Sequence, residues 1–566
     1  MEQLLLQFLE KHIEQKMCSM FQFTAVPKGQ NGDLAMSFFA AAKACPELVS
    51  GSPVQMATDV AQKLEDCELL EKTKITGPYL NLFFKNEVFF SQVFETPLGS
   101  KMMSGKTIVL EFSGPNTNKP LHLGHMRNHA LGISVSNLLE QVGAKVHRVN
   151  IINDRGVHIC KSMLAYQKWG NDETPESTGI KPDLFVGNLY VRFDQELKKD
   201  ESLMDGVQEM LKLWEAGESE TMALWKKMGD WALAGHAKTY TRQGIKFEKD
   251  YFESEYYKKG KDIAAQGLKS KVFKKRDDGA VIIDLSDEGL DEKVILRPNG
   301  TSVYVTQDLA VAQARKKDFN PDQLMYVVAD EQNYHFKVLF SCLEKLGLLK
   351  KEECHHLGYG LVNLPDGRMK SREGTVVDAD TLMDELSGLA LEAIEKRNPE
   401  LSEDEAKKMA EQIQNAAWKF YLLSTSPKKS ITFDSQKSIQ FEGATGPYLQ
   451  YAGVRIKSIV KKAELKPGFS FLNPGLVLGE AEKPLGIKII EFPKALEKAA
   501  ETLNPTYVVT YLLELAQEWS SFYAENSVLK ADSEELKNAR LQLAQKVLEV
   551  LTTGLAILGI EIPEKM

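Results

Sequence analysis

The segment SGPNTNKPLHLGHMRNHALG (113–132) sets Lys119, His122 and His125 close together, with Gly124 between the two histidines and an apolar helical pattern following. Residues three apart share a helix face, so both imidazoles can address one ligand. A helix start also offers unpaired backbone N–H groups and a positive dipole end, which suit phosphate. Lys119 would add a full charge. Glycine inside a helix costs roughly 1 kcal/mol against alanine, so Gly124 calls for a reason, and close approach of a flat ring is one. The chemistry that such a set performs is phosphoryl or nucleotidyl transfer, in which the protein places charge where the transition state becomes negative. Read from these residues alone, a purely structural histidine pair is an equal alternative.

Placing these groups requires a strand, a tight turn and a helix. TIVLEF has the β-branched, apolar character of a buried strand, Ser113-Gly114-Pro115-Asn116 is turn chemistry, and KVHRVNIIND is the next strand. That order opens a parallel, Rossmann-like unit. Two more strand-like runs, AVIIDL (280–285) and LMYVVAD (324–330), stand among helical patterns, including EDEAKKMAEQIQNAAWKFYLL (403–423). Nearly everything after residue 430 reads as helix bundle. The first hundred residues read as a small mixed domain in which SPVQMATDVAQKLEDCELLEKTKI looks helical and GPYLNLFF (77–84) strand-like. The expected fold is multidomain α/β plus all-α: an N-terminal α+β domain over 1–104, a Rossmann-like catalytic domain with insertions over 105–430, and a helix bundle over 431–566.

At 566 residues the chain is long for one core. With 43% hydrophobic and 26% charged residues it has the composition of a globular enzyme, and no run is long enough for a membrane span. The opening MEQLLLQFLEKHIEQKM spaces its apolar residues helically, which predicts a domain helix and not a leader. The six cysteines are scattered without C-x-x-C pairs, so buried cytosolic thiols are expected and a protein-held metal is not. A net charge of −9 argues against an all-round nucleic-acid sleeve while allowing local basic faces.

HLGH after a first strand is similar to the HIGH signature of class I aminoacyl-tRNA synthetases. The longer EFSGPNTNKPLHLGHMRN resembles the arginyl-tRNA synthetases in particular, and GRMKSREGTVV (367–377) resembles their KMSKS loop. The resemblance implies ATP, arriving with Mg2+, held by His122, Gly124, His125, Met369, Lys370 and Ser371, with Lys119, His122, His125, Lys370 and Arg372 stabilising the leaving pyrophosphate. Ser371 stands where the second KMSKS lysine would be, and Lys119 matches the lysine that is thought to replace it.

For arginine, a guanidinium calls for a carboxylate, ideally bidentate. NGTSVYVTQD offers Tyr304 and Asp308, four apart and on one face if a helix begins near Tyr304. This resembles the family's guanidinium site, and the resemblance places Gln332 near the α-amino group, Asn116 on the main-chain groups and Glu253 near the substrate. It further implies tRNA contacts at Tyr79 and Asn81 in the first domain and at Tyr523 and Met566 in the tail, where Ser527 stands in place of a tryptophan. Arginine activation would wait for bound tRNA. A monomer in the cytoplasm, without membrane contact, is expected. Another class I synthetase and a non-catalytic tRNA-binding paralogue are the competing readings; amino-acid specificity separates them.

Overall fold

The computed structural model describes residues 1–13, 15–27, 30–44, 52–365, 377–463 and 477–566. The chain divides into two compact units. One comprises Gly99–Tyr451, Ala495–Thr510 and Gly554–Met566, and the other Met1–Leu98, Ala452–Lys494 and Tyr511–Thr553.

The larger unit is built on five parallel strands in the spatial order Cys354–Tyr359, Gln323–Ala329, Thr107–Glu111, Lys145–Ile152 and Lys249–Phe252. TIVLEF, KVHRVNIIND and LMYVVAD thus form strands of one sheet, as their apolar, β-branched runs suggest. Its central strand, Thr107–Glu111, has a later strand on either side, so the chain order reverses there and opens a crevice at the strands' carboxyl ends. The helix Leu123–Gln141 follows that strand and packs so closely on the sheet that a Cβ at Gly132 would lie 2.3 Å from the Phe112 ring.

AVIIDL does form a strand, Val281–Ile283, but in a separate antiparallel sheet with Lys274–Lys275 and Lys293–Leu296. Its apolar run is too short to distinguish the two settings. The strands Lys249–Phe252 and Cys354–Tyr359 were not singled out in sequence, because KDYF and CHHLGY carry charged or polar residues at the sheet margins.

In the smaller unit a four-stranded antiparallel sheet runs Gln22–Thr24, Leu34–Ser37, Tyr79–Phe84 and Leu70–Thr76. The helical reading of SPVQMATDVAQKLEDCELLEKTKI holds only for Pro53–Lys63. LEKTKIT is instead a strand that pairs with Tyr79–Phe84 across a turn at Gly77, whose φ is +57°. Pairing with an apolar strand outweighs weak local preference. The same unit contains tail segments: Lys483 forms a buried ion pair with Asp33 at 3.2 Å, and a Cβ at Gly486 would meet Phe89 at 2.5 Å. The tail helices are Gly446–Lys462, Lys483–Glu501, Thr506–Glu525 and Glu534–Ile557. Among the described residues no helix is long and apolar enough to cross a membrane. Five cysteines, Cys18, Cys67, Cys160, Cys342 and Cys354, are buried and unpaired.

Candidate active site

At the crevice the chain leaves its central strand through two consecutive left-handed residues, Ser113 (φ +79°) and Gly114 (φ +63°). Strain at a non-glycine residue persists only where its surroundings fix it. Here the Ser113 N–H donates to Asn128 Oδ1 at 2.6 Å and the Gly114 N–H to Asn150 Oδ1 at 3.0 Å. Asn153 N–H then donates to Pro115 O at 2.9 Å, tying the turn to the neighbouring strand's end. Asn116 and Lys119 are thereby brought to a cavity of about 810 Å³ that also takes in His122, Gly124, His125, Tyr304, Asp308 and Gln332.

His122 is the N-cap of the following helix. Its Nδ1 accepts the Gly124 N–H at 3.1 Å, while Nδ1 of His125 accepts the His122 N–H at 3.1 Å. The imidazoles thus satisfy helix-start donors that serine or aspartate usually satisfies. With Nδ1 an acceptor in each ring, the proton of the neutral imidazole resides on Nε2. Burial, reinforced by the charge of Lys119, pushes His122 down to about 3, and burial with neighbouring histidines holds His125 well below its ordinary value. Both are therefore neutral N–H donors at pH 7 and not cations. Burial also lowers Lys119, which among the described residues has no carboxylate partner. The ring that comes close to Gly124 is that of His122 itself: a Cβ there would lie 2.9 Å from Cε1 and 3.0 Å from Nδ1.

One turn further on, His129 anchors this arrangement from behind. Its Nε2 is 2.8 Å from Ser113 Oγ and its Nδ1 is 2.7 Å from Gln243 Oε1, while Ser113 Oγ also meets the Tyr240 hydroxyl at 2.6 Å. Burial pushes His129 down to about 4, so this chain too is uncharged. Neither Asn128 nor His129 was singled out by sequence reasoning, although His129 lies four residues beyond His125 and hence on the same face.

On the opposite wall of the cavity, the helix Tyr304–Phe319 begins at Tyr304, so Tyr304 and Asp308 share its first turns. Tyr304 is 73% exposed, whereas Asp308 is held by His335, whose Nε2–H donates to Oδ2 at 2.6 Å. Gln332, exposed, precedes the helix Asn333–Lys345. Glu253 does not line this cavity; it is buried beside Arg155, 3.9 Å away, and burial pushes its carboxyl up to about 7. A buried ion pair, Glu111 with Arg315, completes the wall at the end of the central strand.

Met369, Lys370, Ser371 and Arg372 lie outside the described residues. The residues on either side of that segment are in place: Asn363 lines the cavity, and Val377 O accepts the Leu123 N–H at 3.1 Å beside the HLGH turn. Tyr79, Asn81 and Tyr523 belong to the smaller unit. Tyr79 packs edge-on against Phe39, while Asn81 is fully buried and its amide donates to Gln30 Oε1 and Asn31 O, so it shapes a loop and presents no surface. Tyr523 stacks on Trp519 at 5.7 Å with the Arg455 guanidinium over its ring. Met566, in the larger unit, packs against the cluster of Ala390, Ile394, Ala406 and Met409.

Residues 91–434 match the family model for the class I (R) tRNA synthetase catalytic domain, residues 449–566 that for the DALR anticodon binding domain, and residues 1–84 that for the arginyl tRNA synthetase N terminal domain. The arginine–tRNA ligase of Treponema denticola is 45% identical over 95% of this chain and 94% of its own. That of Amoebophilus asiaticus is 41% identical over 91% of both. Among solved structures, the arginyl-tRNA synthetase of Thermus thermophilus superimposes with a TM-score of 0.85 at 26% identity, covering 100% of this chain and 99% of its own.

Proposed function

The chain belongs to the arginyl-tRNA synthetases of class I, and from that premise we propose how its residues carry the reaction. It is an arginine–tRNA ligase: ATP and L-arginine give arginyl-adenylate and pyrophosphate, and the arginyl group is then esterified to the 3' end of tRNA(Arg).

Asp308 takes the guanidinium, with Tyr304 beside it, because a carboxylate pairs with the planar fork in bidentate fashion. Asn116 and Gln332 hold the main-chain groups, and Glu253, outside the cavity, steadies that wall. The arginine carboxylate attacks the α-phosphorus of ATP in line, so no protein nucleophile is needed. As pyrophosphate departs, Lys119 supplies the formal charge and His122 and His125 supply neutral Nε2–H bonds that tighten as charge builds. Lys370 and Arg372 add to that charge, with Met369 and Ser371 against the nucleotide. Mg2+ arrives with ATP. Tyr79, Tyr523 and Met566 meet the tRNA, with Asn81 acting through the loop it shapes. The sequence domains 1–104, 105–430 and 431–566 divide this work as elbow contact, catalysis and anticodon contact, in a cytoplasmic monomer.

The observation that carries this reading is one cavity lined both by Lys119, His122 and His125 and by Tyr304, Asp308 and Gln332. ATP–pyrophosphate exchange with each of the twenty amino acids, with and without tRNA, tests it. Exchange with arginine alone, and only with tRNA present, is expected. Exchange with another amino acid, or tRNA binding without any exchange, refutes it.

A further inference from the structure

Asp308 already has a partner before any substrate arrives. Its ion pair with His335 spans 2.6 Å, and the two side chains are 30% and 27% exposed. A half-buried carboxylate gains from a cation beside it, and among the described residues His335 is the ion-pair partner it has. His335 lies in the first turn of the helix Asn333–Lys345, where the helix dipole disfavours a cation. Two histidines share the neighbourhood: Phe336, edge-on to His335, stacks on His356 of the strand Cys354–Tyr359, which burial holds below its ordinary value and therefore neutral beside the His335 imidazolium. Around Asp308 stand Glu111 and Glu253, which add negative field, and Arg315, paired to Glu111. Burial opposes protonation of His335, yet the Asp308 carboxylate outweighs it and holds the imidazolium above its ordinary 6.5.

We propose that His335 is the resident counter-cation of Asp308, a specificity residue that the guanidinium of arginine must replace and that releases its proton to solvent as arginine binds. This rests on the reading of Asp308 as the guanidinium's partner. While His335 is protonated the pocket presents a satisfied pair, and an entering ligand competes with it. Arginine replaces the charge that it displaces. Citrulline, neutral at the same position, displaces an imidazolium and returns nothing, which leaves a half-buried carboxylate without a counter-charge.

The sign of the pH dependence follows. The free protein holds the proton on His335 above 6.5, whereas a guanidinium alongside lowers that affinity. Between the two values each arginine bound releases a proton, so arginine affinity falls as pH falls. The one-proton limit is about tenfold per pH unit.

Calorimetric titration of the full-length protein with L-arginine, in buffers of different ionisation enthalpy near pH 7, counts that proton on the wild type itself. A net release is expected; none overturns the proposal. His335→Gln retains a donor for Asp308 without a titrating proton. Its arginine affinity is expected to be flat between pH 6 and 8, tighter than wild type at pH 6 and equal to it at pH 8. A merely structural histidine would instead weaken binding at every pH, and that result overturns the proposal. Glu253, pushed up to about 7 by burial, is the rival proton source. If the pH slope survives in His335→Gln and disappears in Glu253→Gln, the proton is Glu253's and the proposal fails. Asp308→Asn separates the underlying reading: if that variant binds arginine as wild type does, Asp308 is not the guanidinium's partner, whatever His335 does.

Discussion

Each imidazole of the His122 and His125 pair accepts a backbone N–H at Nδ1, so the helix start fixes ring orientation and tautomer together. A side chain at position 124 would collide with the first of these rings. Gly124→Ala should therefore lower kcat for pyrophosphate exchange about a hundredfold, the order that a misplacement near 1 Å produces, with little change in the KM for arginine. An equal rise in KM would place Gly124 in binding and not in ring placement. Acid stability gives a second residue-level prediction. His129 is buried and His122 and His125 are half-buried at the cavity, and all three are held neutral, with His129 at about 4 and His122 at about 3. Below 6.5 the unfolded chain takes up protons that the fold does not, so stability is lost as pH falls from 6.5 toward 4, by up to about 1.4 kcal/mol per pH unit for each group. Melting temperatures over that range should drop less steeply in His129→Gln than in wild type; identical slopes would mean that His129 is not buried neutral.

At the scale of elements, Asn128 is the clasp between the signature helix and the sheet. Its Oδ1 accepts the Ser113 N–H at 2.6 Å, and its Nδ2 donates to Val327 O at 2.6 Å and to the Tyr359 hydroxyl at 3.2 Å. One side chain thereby joins the helix to three strand ends and holds Ser113 in its left-handed conformation. Asn128→Leu keeps the volume but leaves a buried N–H and a buried carbonyl without partners, each worth about 1–3 kcal/mol. A lower urea midpoint with loss of exchange activity is expected, and an unchanged midpoint would show that water replaces the amide. Arg127 does the parallel work toward the far loop, donating to the carbonyls of Pro427 and Lys429 from a fully buried position. Polar residues in this helix are therefore structural on one face and chemical at its start, which explains why its apolar pattern is weak.

For the whole molecule, a net charge of −9 must be reconciled with a polyanionic partner. Attraction then comes from local basic contacts to phosphates, which salt weakens steeply, whereas the proposed, partly buried pairing of arginine with Asp308 would be screened much less. Raising salt from about 50 to 200 mM should weaken tRNA binding by an order of magnitude or more while the arginine dissociation constant moves by less than about threefold. Parallel losses would argue that tRNA and arginine share one electrostatic determinant. By itself the sequence determined the parallel-sheet chemistry, the HLGH turn, the pairing of Tyr304 with Asp308 on one helix face and the helical tail, because each is written in local spacing, turn residues or periodicity. What only the tertiary structure decided involves partners far apart in the chain. The strand LEKTKIT takes its form from the strand beside it, the histidines are neutral because elements from distant segments bury them, Asn81 is internal, and Asp308 meets His335 across 27 residues. Burial and long-range pairing depend on which surfaces come together, and no local pattern encodes that.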